Sequence, residues 1–128
     1  MKLRNNMIKK RFLIILLILA LVLCTACSEK ETGPVRKKTT TDAAIRYGTI
    51  AMETMEDYLD GNLSLKAAQS KLETCQRELD KSEDFYDGLL SIRIGTCSNS
   101  LYLQSVGRYS KAEIREKIQE IYDFLYEK

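Results

Sequence analysis

The chain has 128 residues, a formal net charge of +2, 30% charged residues, four cysteines, one proline, and neither histidine nor tryptophan. The length holds one small domain. Without histidine there is no Ser-His or Cys-His nucleophile, and the commonest general base and metal ligand are both missing.

Chain order starts with Lys2, Arg4, Lys9, Lys10 and Arg11, followed by 12 unbroken apolar residues from Phe12 to Leu23. A basic segment, a short apolar run and small residues make an export signal. The run is too short for a permanent span, which needs about 20 residues. Cys24-Thr25-Ala26-Cys27 closes the signal. This segment resembles the lipobox of bacterial lipoproteins, with Cys24 standing where leucine is usual. The resemblance implies cleavage before Cys27 and attachment of a diacylglycerol to its thiol. The expected organisation is a signal peptide at 1–26, a lipidated cysteine and flexible linker at 27–40, and a domain at 41–128. Two acyl chains, at about 0.8 kcal/mol per buried methylene, hold a protein firmly on a bilayer.

All five basic residues of the signal leave with it. The remaining chain then has 15 basic and 18 acidic residues, a charge of −3. A nucleic-acid partner is not expected, since a basic stripe is the usual footprint. Residues 28–39 hold the only proline and almost no apolar side chain, so the reading makes them a solvated tether.

The rest of the chain predicts an all-α fold, a small antiparallel bundle of four helices. The first helix covers 42–60, with Ala44, Gly48, Ala51, Met55 and Tyr58 at helical spacing and Gly61 as its stop. The second starts at Ser64 as N-cap and carries Leu65, Ala68, Leu72, Cys75, Leu79 and Tyr86 on one seam. Its end is placed at Asp87-Gly88, with an earlier break at Lys81-Ser82 as the alternative. The third carries Leu90, Ile94, Cys97 and Leu101. Its first residues also read as an alternating strand, but such a strand has no partner here. The fourth starts with a capping box, Ser110 and Glu113, and carries Ile114, Ile118, Ile121 and Leu125.

Cys75 and Cys97 are equidistant from residue 86. With the turn at Asp87-Gly88 they stand level on facing seams, and export permits a disulfide. With the turn at Lys81-Ser82 they cannot meet and remain buried thiols. No metal or other cofactor is expected.

Seven tyrosines is a high count for this length. Arg46-Tyr47, Arg108-Tyr109 and the pair Tyr122 and Tyr126 are candidate partner surfaces, because Tyr and Arg are enriched at interfaces. The reading is a non-enzymatic interaction module, anchored by lipid to the outer face of the cell membrane, with a protein partner in the envelope. The alternatives are an immunity or exclusion lipoprotein and a small-ligand-binding bundle. The oligomeric state is not legible. Beyond the signal, the mature domain resembles small helical lipoproteins of bacteria in general style only.

Overall fold

In the computed structural model, residues 33–128 are described. The signal and Cys27 lie outside them. Four helices follow in order: α1 (Asp42–Leu59), α2 (Leu65–Asp80), α3 (Phe85–Ser105) and α4 (Lys111–Leu125). The expected all-α bundle is present. The one β-type contact among the described residues is an isolated bridge between Arg36 and Tyr126.

Each helix begins where the sequence supplies an N-cap. The side chains of Thr41, Ser64, Asp84 and Ser110 accept hydrogen bonds from amides of their own first turns. Ser110 and Glu113 complete the capping box in both directions. Gly61 and Gly107, at φ 78° and 77°, make the left-handed residues after α1 and α3.

Short connections fold the helices up and down. Lys111 Nζ donates to the Leu59 carbonyl at 3.4 Å, while Thr40 Oγ1 donates to the Leu125 carbonyl at 3.1 Å, so α1 and α4 are antiparallel. α1 and α3 run the same way. Thr41 Oγ1 donates to Asp87 Oδ1 at one end, and Tyr58 donates to Gln104 Oε1 at the other, both at 2.6 Å. The core is Met55, Leu59, Leu72, Leu79, Leu90, Ile94, Leu101, Ile114, Ile121 and Leu125, with small residues and both cysteines between them. Each large aliphatic side chain contributes about 1.5–3 kcal/mol of burial free energy. Gly48 lets α4 approach α1: a Cβ there would lie 2.8 Å from Leu125 Cδ1.

Two expectations are corrected. The first is the turn between the second and third helices. Asp84 accepts from the amides of Tyr86 and Asp87 at 2.9 and 3.1 Å, which starts α3 at Phe85. Residues 81–84 are therefore the turn, and Asp87-Gly88 lies in the first turns of α3. Asp80 stands opposite Ser91, and Gln69 opposite Ser98. These two contacts place Cys75 opposite the stretch between Ile92 and Thr96, one to five positions from Cys97, or about 1.5–7.5 Å along the axis at 1.5 Å per residue. Both are free buried thiols, and the expected Cys75–Cys97 disulfide is absent.

The second is the domain boundary. The compact unit starts at Val35, not at residue 41. Leu125 ends α4, and its carbonyl has no partner within the helix. It accepts from the Lys37 amide at 3.1 Å and from Thr40 Oγ1. Lys37 Nζ donates to the Asp123 carbonyl at 2.6 Å, and the Glu127 amide donates to the Val35 carbonyl at 2.7 Å. The second half of the expected tether thus caps the C-terminus of α4. The Lys37 ammonium also sits at the negative end of that helix dipole.

Candidate functional site

The arginine–tyrosine pairs do not form one surface. Arg46 is exposed and lies 5.4 Å over the ring of Tyr47, which packs on the core. Gly48 faces Leu125 in α4, so Arg46, about 200° away around α1, points to the opposite side. Tyr122 and Tyr126 stack at the C-terminal end of α4 with ring centroids 4.9 Å apart, and Tyr126 packs on the core. Arg108 and Tyr109 lie in the connection between α3 and α4, at the opposite end of the bundle from Tyr126. Tyr109 also packs on the core. Three of these tyrosines thus serve mainly as core edge.

The thiols are not reactive groups. Burial pushes the Cys97 thiol up to about 11; the Glu120 carboxylate adds a smaller push, and the Lys117 and Arg93 cations oppose it. Burial raises that of Cys75 as well. Thiolates are the nucleophilic form, so both are inert near neutrality. Among the described residues, no group of three or more His, Cys, Asp or Glu is placed to hold a metal ion. A small cleft of about 220 Å³ lies between Lys37, Arg93, Glu120, Asp123 and Phe124. Its cations already have partners: Arg93 is 3.9 Å from Glu120 and 5.4 Å over the Phe124 ring, and Lys37 is bound to the Asp123 carbonyl.

The unusual surface is on α3. Its inner row is Leu90, Ile94, Cys97 and Leu101, all buried. A second row, Phe85, Leu89, Ile92, Thr96, Asn99, Leu103 and Val106, repeats at spacings of four and three along the whole helix to its C-cap. At 100° per residue these seven positions fall in a sector about 100° wide, on the side opposite the inner row. That spacing is the signature of a helix seam. Phe85 is 72% exposed, Ile92 68% and Val106 52%. Leu89 and Leu103 are half-buried and stand outside the core cluster. Thr96 Oγ1 donates back to the Ile92 carbonyl at 3.1 Å, which satisfies its hydroxyl within the helix.

The row carries no charge. Asp87 and Arg93 are the only charged residues of α3; Asp87 is buried and Arg93 leans towards α4. A helix apolar on two opposite faces is normally enclosed on both. At the C-terminal end of the row an open groove of about 420 Å³ is lined by Tyr102, Leu103, Val106 and Arg108. Arg108 is thus the one sequence-predicted candidate that adjoins the row. The row itself escaped sequence reading because that reading runs the second helix on to Asp87-Gly88, which takes Phe85 away from the third.

Comparison with protein-family models, with curated proteins and with solved structures finds no match for this chain.

Proposed function

We propose that the chain is an export-signal-bearing lipoprotein, anchored through Cys27, whose bundle serves as an interaction module through the outer row of α3. The lipobox-like Cys24-Thr25-Ala26-Cys27 supports the anchor. One observation carries the interaction role: the charge-free row that α3 exposes from Phe85 to Val106. Exposed apolar side chains at both ends of one row, Phe85 and Ile92 at one and Val106 at the other, are the kind of surface that marks contact sites. This row replaces the scattered tyrosines as the candidate surface. None of the described helices is long and apolar enough to cross a membrane.

Two measurements test this reading. Cells fed a labelled fatty acid should label the wild-type chain and leave Cys27→Ser unlabelled; equal labelling of both removes the anchor. A photo-crosslinking side chain at Ile92 should give discrete adducts in intact membranes, while one at the exposed Glu116 of α4 should not. Adducts of the same pattern from both positions would remove the role of the α3 row.

A further inference from the structure

We propose that the outer row of α3 pairs antiparallel with the same row of a second copy of this chain, and that Phe85 of each copy seats in the groove beside Val106 of the other. The inference rests on the reading of α3 as the contact surface, and not on the lipid anchor. The two ends of the row are complementary. One end presents Phe85, a ring 72% exposed. The other presents an open groove of about 420 Å³ with Tyr102, Leu103, Val106 and Arg108 on its walls. Phe85 and Val106 are 21 residues apart, about 31 Å along the helix. No helix can bring its own two ends together, but two copies related by a twofold axis bring each knob to the other's groove. Such an interface is isologous and closes at two subunits.

The rest of the row fits the same operator. With the axis at Thr96, Phe85 faces the partner's Val106, Leu89 faces the partner's Leu103, and Ile92 faces the partner's Asn99. The apolar layers at the two ends pair with each other. Gly88 adds to the fit. It lies in the same sector, and a Cβ there would meet nothing within 4 Å. Glycine inside a helix costs up to about 1 kcal/mol relative to alanine, and nothing among the described residues explains it at this position. An opposed helix explains it, because the missing side chain leaves room for the partner's Leu103. In the groove, the Tyr102 ring and the Arg108 guanidinium supply an aromatic and a cationic contact for the incoming phenyl ring.

A bilayer is the other apolar medium that such a row could enter. Helices that lie in a membrane interface carry lysine and arginine on the polar face. α3 has one basic residue, Arg93, and it is engaged with Glu120 and Phe124. The observations therefore favour a second copy.

Cysteine cross-linking of the full chain in its membrane tests the inference. Two differently tagged versions, Leu89→Cys and Leu103→Cys, are co-expressed and oxidised. The 89-to-103 disulfide between copies should form at least tenfold faster than the 89-to-89 or 103-to-103 product. Adding Ile92→Glu to both versions should abolish it, while helicity stays at the wild-type level. Products restricted to 89-to-89 and 103-to-103 would overturn the antiparallel pairing. Adducts from the same positions to other proteins, without the double-mass product, would overturn the second copy and leave the contact surface standing. No adduct of any mass would overturn both.

Discussion

Thr40 and Leu125, 85 residues apart in sequence, are joined by a hydrogen bond of 3.1 Å from the threonine hydroxyl to the last carbonyl of α4. The segment that reads as a tether is therefore part of the fold from Val35 onward. A domain starting at Thr41 should melt lower than one starting at Val35. Ordering the strap offsets part of its bonding, so a net loss of about 2 kcal/mol is expected from bonds to otherwise unpaired carbonyls. For a domain of this size that is a drop of roughly 10 °C in thermal melting. Equal melting temperatures would show that the strap contributes nothing and that the core starts at residue 41.

Thr41 has two roles in one side chain. Its hydroxyl oxygen accepts from the Ala44 amide at 3.0 Å and its proton goes to the buried carboxylate of Asp87. Thr41→Ala removes the cap of α1, worth about 1 kcal/mol. It also removes a partner of a buried carboxylate, which costs more than a neutral bond. A loss of about 2–3 kcal/mol in urea denaturation is expected, with Thr41→Ser near wild type. If Thr41→Ala cost no more than a cap, the bond to Asp87 would be energetically idle.

The thiols make a prediction with a definite sign. In the fold Cys97 ionises at about 11, against 9.0 for its ordinary value. Between those two values the unfolded thiol loses its proton and the folded one keeps it. Stability from this group is therefore full below about pH 9 and falls as pH rises towards 11. The total is on the order of 3 kcal/mol, from 1.36 kcal/mol per unit. Cys97→Ala should flatten that part of the pH–stability curve, whatever its cost in packing. On unfolding without reductant, both Cys75 and Cys97 should alkylate. A product lacking both labels would restore the disulfide.

Two glycines should respond in opposite directions. Gly48→Ala gains helix propensity, but its Cβ meets the buried end of Leu125 at 2.8 Å. Overpacking of about 1–3 kcal/mol outweighs a gain of at most about 1, so chemical denaturation should show a net loss of about 1 kcal/mol. Gly88→Ala has open space and should stabilise the isolated chain by about 0.5–1 kcal/mol. Stabilisation by both would mean that Leu125 rotates away.

The residues explain what sequence reading reached. Periodicity and caps were enough for four helices, because Thr41, Ser64 and Ser110 sit just before apolar rows of helical period. The turn before α3 was legible only as the alternative break at Lys81-Ser82, because Asp84 is one of several acids between Asp80 and Asp87 and nothing local marks it as the cap. Gly88 drew the turn to itself, although a helix holds it. The strap was illegible for a different reason. Its bonds run from backbone and polar side chains to carbonyls 85 or more residues away, and they leave no apolar pattern. The outer row of α3 was legible in principle, as a second 3.5-residue period, once the helix start is moved to Phe85.

Pairing of two copies through the outer row of α3 fixes the number of chains in the complex. Native mass spectrometry of the full chain in nanodiscs measures it directly. The account predicts two copies per complex for the wild type and one for Ile92→Glu, with equal helicity. One copy for the wild type at every concentration, or two copies for both proteins, would contradict it.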